Sequence, residues 1–183
     1  LIAWCTLIGG VFTGLGYFPW CPGATGNMGG VILDWPYVGN DICGNGTQPC
    51  DTLTHELGHN LGLWHTHHGV SEVDCPSACY EAAGVPSNTR GDLCSDTPAT
   101  PVNYNCVDPG GTDCLGGSFG NTDERNYMGY GGEGCWDHYS SQQKGRMQCW
   151  TCETISGWTE GTATGSCYHS GGVCAVTSTG CCA

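Results

Sequence analysis

The chain has 183 residues, with 17 acidic and four basic side chains, a formal net charge of −13 and 16 cysteines. That length suits one domain, or one domain with an appendage, and is enough to bury a substantial core. With Arg90, Arg125, Lys144 and Arg146 as its only cations, the chain lacks the positive surface that nucleic acid or an anionic membrane demands. Sixteen cysteines, an even number, are too many for a reducing cytosol unless the thiols bind metal. Only Cys149 and Cys152 show C-x-x-C spacing, so disulfides in an extracellular protein are the simplest reading.

Residues 1–12 are largely apolar, but no basic residue precedes them and they fall short of the roughly 18 apolar residues of a membrane span, so they predict a core strand near Ile2 to Ile8. Further strands are expected at Leu15 to Phe18 and Val31 to Leu33, bounded by Gly, Pro or Asn turn signals. Asn45-Gly46-Thr47 fits a glycosylation sequon, consistent with a secreted glycoprotein. A helix begins near Asp51 or Thr52, either of which can cap it, and Leu53, Leu57 and Leu61 predict its buried stripe. From about Gly69 to Tyr127 the abundance of Gly, Pro, Asn and Asp argues for loops, with disulfides in place of core. Ser140 or Ser141 starts a last helix that runs through Met147. Residues 151–183, rich in Gly, Ser, Thr and Cys, read as a crosslinked appendage, either a tail stapled to the domain or a small binding module. The expected domains are therefore 1–150 and 151–183.

The most informative stretch is His55-Glu56-Leu57-Gly58-His59-Asn60-Leu61-Gly62-Leu63-Trp64-His65. Residues four apart share one helix face, so His55 and His59 can aim at one ion. Glu56 stands about 100° further round the helix, beside the metal but outside its ligand set, as a general base requires. Gly62 can adopt the left-handed conformation that ends a helix and turns the chain back, bringing His65 in as third ligand. Three histidines leave a zinc ion room for a water whose proton Glu56 would take as it attacks a peptide carbonyl, before passing that proton to the leaving amine. The plainer readings are a surface helix with two histidines, which the glycine and third histidine oppose, and a closed structural zinc site, which the lack of thiolate opposes. His67, His68, His138 and His169 have no comparable spacing. They read as surface histidines, with His67 and His68 able to tune the site.

The extended motif H-E-x-x-H-x-x-G-x-x-H, followed by Asn126-Tyr127-Met128-Gly129-Tyr130, resembles the metzincins and their methionine turn. Gly14-Leu15-Gly16-Tyr17-Phe18-Pro19, Gly30 to Asp34, Gly91 to Pro98 and Gln143 to Met147 make the pappalysin family the nearest likeness, over about residues 1–150. The resemblance implies an α+β metzincin-type fold: a twisted mixed sheet, an active-site helix and a loop-rich, disulfide-rich C-terminal subdomain. It implies zinc on His55, His59 and His65, Glu56 as base, Met128 as an apolar floor, and Tyr130 as donor to the developing oxyanion. Packing alone would also account for Met128 and Tyr130. It further implies disulfides Cys75–Cys114 and Cys106–Cys135, and a substrate-binding sheet edge at Gly14, Leu15, Gly16, Tyr17 and Phe18, where small residues admit a peptide backbone. Calcium in the relatives' loops makes Asp92, Asp96 and Thr97 candidates, against Asp96 merely capping a turn. Some relatives prefer Arg or Lys near the cleaved bond, through acidic residues after the methionine-turn tyrosine. Here Gly131 and Gly132 come first and only Glu133 is acidic. Against the family, the chain begins inside the catalytic domain, with the first strands and first long helix expected upstream.

Short spacing suggests Cys43–Cys50, with Cys5–Cys21 and Cys79–Cys94 as weaker pairs, since connectivity is not deducible from sequence. The reading is a secreted zinc endopeptidase acting on protein or peptide. An extracellular structural or adhesive protein with a silent metzincin fold is the alternative, and a protease held latent by a propeptide the third. The intact Glu56 favours the enzyme.

Overall fold

A computed structural model describes residues 3–6, 13–21, 24, 26, 29–34, 51–75, 77–132 and 134–153. They fall into two units, one of residues up to 63 together with 145–153, the other of residues 64–144. The pair Cys43–Cys50, the sequon at Asn45, Glu133, His169 and most of the expected appendage lie outside the described residues.

In the first unit, β1 (Ala3–Thr6), β2 (Gly14–Gly16) and β3 (Val31–Asp34) form a mixed sheet in the order β1-β3-β2. β1 runs parallel to β3, with Ala3 opposite Val31, and β2 runs antiparallel to it, with Leu15 opposite Ile32. The expected edge therefore stands at the sheet's rim, with Leu15 42% exposed, although the strand starts one residue earlier than expected and ends before Tyr17. Helix α1 (Asp51–Asn60) lays Leu53 and Leu57 on Val31 and Leu33, which are fully buried. Leu61, the third member of the expected stripe, follows the helix. Asp51 in the first turn matches the charge preference of the helix dipole.

α1 ends in a Schellman turn. Gly62 has φ +86°, Leu63 N–H donates to the Gly58 carbonyl at 2.9 Å and Gly62 N–H to that of His59 at 3.0 Å, the 6→1 and 5→2 bonds of that motif. The Trp150 ring lies where a Cβ on residue 62 would stand, and Arg146 Nε donates to the Gly62 carbonyl at 2.7 Å. Both residues belong to α3 (Ser141–Glu153). That helix continues past its expected end at Met147 because Cys149 and Trp150 are buried, and packing overrides a polar local sequence.

The second unit is loop-rich as expected, with one short helix, α2 (His68–Ser71). Cys75–Cys114 and Cys106–Cys135 are bonded, with Cα separations of 6.4 and 5.6 Å. Closing loops of 39 and 29 residues restricts the unfolded chain by about 3.5–4 kcal/mol each in the chain-entropy account. Cys149 and Cys152 are disulfide-bonded as well. Cys21 forms no disulfide, so the expected Cys5–Cys21 pair is not made, and Cys79 and Cys94 engage in contacts other than a disulfide. Spacing along the chain does not set the Cα separation and Cβ directions that a disulfide needs.

Asn60 joins α1 to the sheet. It is fully buried and its Nδ2 donates to the Tyr17 carbonyl at 2.7 Å and the Gly30 carbonyl at 2.9 Å. Asn60→Ala strips a donor from two inward carbonyls, and a loss of about 2–4 kcal/mol is expected at the usual cost of a buried unsatisfied group. An unchanged urea midpoint would show that the bonds contribute nothing net.

Candidate metal centre

α1 presents His55, Glu56 and His59 from its buried side, with 5, 5 and 7% exposure. The rings of His55 and His59 meet edge to face, 4.9 Å between centroids, as the four-residue repeat requires. His59 Nδ1 lies 2.8 Å from the Leu63 carbonyl. A carbonyl can only accept, so the proton sits on Nδ1 and Nε2 carries the lone pair. The Schellman turn thus sets the tautomer of a motif histidine. Phe18 packs edge-on against that ring at 5.1 Å.

Glu56 lies under the sheet edge. A Cβ on residue 14 would come within 2.5 Å of its Oε1, and one on residue 16 would collide with its backbone carbonyl. The two glycines thus admit helix α1, whereas a close approach by a peptide was the expected reason for them. Burial pushes the Glu56 carboxyl up to about 8, with a hydrogen bond from the Gly16 backbone pulling the other way.

In the second unit His65 Nδ1 donates to Glu72 Oε1 at 2.6 Å, which again presents Nε2. Burial pulls the His65 pKa down while Glu72 pulls it up, with a net lowering. His67 and His68, expected at the surface, are 2 and 7% exposed. Tyr130 meets His67 edge to face at 4.5 Å, Trp64 stacks on His68 at 4.2 Å, and both histidines contact Glu72. Burial raises the Glu72 carboxyl, but bonds from His65, His67 and His68 outweigh it and hold it well below the usual carboxylate range. Tyr130 also packs against His65 at 4.6 Å.

Met128 is fully buried. Its N–H donates to Asn126 Oδ1 at 2.9 Å and its carbonyl accepts from Thr66 N–H at 3.0 Å. Asn126 Nδ2 donates to Gln143 Oε1 at 2.9 Å. That oxygen also accepts from Ser140 N–H at 2.8 Å, while Gln143 N–H donates to Ser140 Oγ at 3.1 Å, a capping box at the start of α3. The methionine turn is therefore tied to a helix cap.

Of the calcium candidates, the structure brings Asp92 and Thr97 together, Thr97 Oγ1 donating to Asp92 Oδ2 at 2.6 Å. Asp96 is exposed and accepts from Ser140 Oγ at 2.7 Å and Gln142 N–H at 2.9 Å, so it serves the N-terminus of α3. Sequence reasoning missed Glu81, which is 1% exposed. Burial pushes the Glu81 carboxyl up to about 7 against a bond from the Ser87 backbone. Burial also raises Asp92 well above its ordinary value, and the charge of Glu81 adds to that. Among the described residues no Lys or Arg forms an ion pair with either.

Comparison with known proteins places the chain in a family. A profile of the peptidase M43 family, described as pregnancy-associated plasma protein-A, matches residues 10–151. The chain belongs to that family. It is 37% identical to human (Homo sapiens) pappalysin-1 over 148 residues, which is 79% of this chain and 9% of that protein. An extracellular metalloprotease of Colletotrichum graminicola is 35% identical over 107 residues, 57% of this chain and 32% of its own length. The fold matches mature mirolysin of Tannerella forsythia, in complex with a cleaved peptide, with a TM-score of 0.60 and 26% identity over 84% of this chain and 53% of that one. The chain thus has the fold of a pappalysin-family metzincin and spans about half of the mirolysin chain, and a smaller share of the two sequence relatives. The metallopeptidase family implies zinc, and the Nε2 atoms that His59 and His65 leave unbonded to their Nδ1 partners suit it.

In this pappalysin-family chain the methionine turn carries a charged ladder. Tyr127 N–H donates to the His138 carbonyl and Asp137 N–H to the Arg125 carbonyl, both at 2.9 Å. His138 Nδ1 contacts Asp137 at 2.6 Å and Nε2 contacts Asp123 at 3.0 Å. Bonding to Asp137 raises the His138 pKa, and the neighbouring Asp123 adds to this against desolvation. A raised histidine pKa contributes stability that is complete below the unfolded value of about 6.5 and is lost as pH rises through the folded one. An NMR titration should place His138 above its ordinary value and Asp137→Asn should lower it. Identical titrations of parent and variant would dismiss the pairing.

Proposed function

We propose that the chain is the catalytic region of a secreted zinc endopeptidase, with His55, His59 and His65 holding the zinc and Glu56 acting as general base. The observation that carries this is the fixed tautomer of two motif histidines, His59 on the Leu63 carbonyl and His65 on Glu72. Each offers Nε2 as a neutral donor, the ligand chemistry of hydrolytic zinc sites. Zinc, when bound there, supplies Lewis acidity that brings the pKa of a water to about 7 and polarises a carbonyl.

This chain's own residues do the rest. Glu56, once ionised, receives the proton of the attacking water and hands it to the departing amine. A peptide extends along β2, whose rim position supports strand addition. Tyr130 donates to the oxygen on which charge develops, and Met128 packs as an apolar floor. Asp123 and Glu124 line a water-sized pocket beside Tyr130, together with Thr66, His67 and Thr122, and it is their charge, not room for a side chain, that supports a preference for basic residues. Its acidic groups precede the methionine turn, on the side opposite to Glu133 in sequence. Relatives called extracellular metalloproteases, together with disulfides on the chain, support secretion. No described helix is long and apolar enough to cross a membrane.

Cleavage of a mixed peptide library by the zinc-loaded protein is expected, with Arg or Lys enriched on one side of the bond. Glu56→Ala should keep the metal and lose at least roughly 10²–10⁴-fold in rate. Silence from both proteins would sink the enzyme reading, and a profile without basic enrichment would remove the pocket's role.

Asp92, with Glu81 and the Thr97 hydroxyl, is proposed as a calcium site, since oxygen donors from two buried carboxylates suit a hard cation. Asp96 is left out of it because α3 engages both its oxygens. Raised carboxyl values mean that the folded protein binds more protons, so its contribution falls as pH rises from the ordinary glutamate value through about 7. Calcium should therefore raise Tm more at pH 8 than at pH 5, and the difference should vanish in Asp92→Asn. An equal effect of calcium at both pH values would count against the site.

A further inference from the structure

Glu72 follows α2 directly, and the four residues of that helix return its carboxylate over the preceding histidines. Ser71 N–H bonds the His67 carbonyl at 2.9 Å and Glu72 N–H that of His68 at 3.3 Å. The two carboxylate oxygens are shared among three imidazoles. Oε1 lies 2.6 Å from His65 Nδ1 and 3.4 Å from His67 Nε2, and Oε2 lies 2.6 Å from His68 Nδ1. Stacking holds the rings from their other faces: His65 lies on His67 at 4.7 Å and 8°, Tyr130 covers the edges of both, and Trp64 covers His68.

His65, His67 and Glu72 each offer a donor within 4.8 Å of the others, which raises a second metal as an explanation. The distances argue against it. Two ligands of one tetrahedral zinc, each about 2.0–2.1 Å from the ion, stand about 3.3 Å apart, whereas His65 Nδ1 and Glu72 Oε1 are at 2.6 Å. That is a hydrogen bond with no room for a cation between its ends.

We propose that Glu72 is a positioning residue of the zinc site: it fixes the tautomer and ring plane of His65 and, through His67, braces the face on which Tyr130 rests. The inference rests on the zinc assignment above and adds a residue to it. A carboxylate bonded to a ligating histidine keeps the proton on the nitrogen it bonds, raises the basicity of the other nitrogen and removes the entropy of a rotating ring. Here one carboxylate does this for His65 while bonding the two histidines packed around it.

The test is zinc affinity of the full chain, stripped of metal and titrated against a chromophoric chelator, for the parent, Glu72→Gln and Glu72→Ala. Visible spectra of the cobalt(II) forms and Tm of the metal-free forms complete it. Glu72→Gln keeps an acceptor without the charge and should bind zinc about tenfold more weakly, and Glu72→Ala up to about 100-fold. The cobalt spectrum should change in both, with metal-free Tm preserved in Glu72→Gln. Parental affinity and spectrum in Glu72→Gln would overturn the proposal, whether or not Glu72→Ala folds. So would a loss of affinity matched by a fall in metal-free Tm, which marks a structural role alone. A parent that takes up no zinc would overturn the zinc assignment itself, and this inference with it.

Discussion

Everything in the first unit depends on how the chain leaves α1. The helix must stop one turn after His59, and Gly62 stops it by entering backbone space that side chains avoid. Two further features depend on that conformation. Leu63 swings back, so that its carbonyl reaches His59, and the surface over residue 62 stays bare, so that the indole of Trp150 can lie flat on it. A Cβ at this position would strain the backbone and displace the indole together, so the constraint is local in origin but is felt at the ligand.

The same economy governs the polar groups. Buried imidazoles and amides cost free energy unless bonded, and several here make bonds that also set an orientation. Asn60 ties the helix to the sheet, Glu72 serves three rings, and Asn126 links the methionine turn to the capping box of α3. None is a metal ligand. Each removes a rotational freedom from a residue whose direction matters, which is how a site made of loops can be as well directed as one made of helices.

Sequence revealed what is local. His55, Glu56, His59 and Gly62 were readable because their geometry follows from helical repeat and backbone preference, and Met128 and Tyr130 because the family likeness placed them. Glu72 was not, since a four-residue helix lies below any periodic window and Gly69-Val70-Ser71 reads as loop. The tie of Asp96 to α3 was not legible, because the Ser140 hydroxyl and the Gln142 N–H that it accepts from lie more than forty residues on and no local pattern announces them. Gly14 and Gly16 were recognised as a close approach, with the peptide named where Glu56 stands. Both disulfides inferred from likeness are present, while Cys5–Cys21, inferred from spacing, is not made.

The crowding of Gly14 and Gly16 under α1 has a consequence for how such an edge can diversify. Two of the three residues of β2 are closed to any side chain, so the strand can vary what it shows a visitor only at Leu15, on its exposed face.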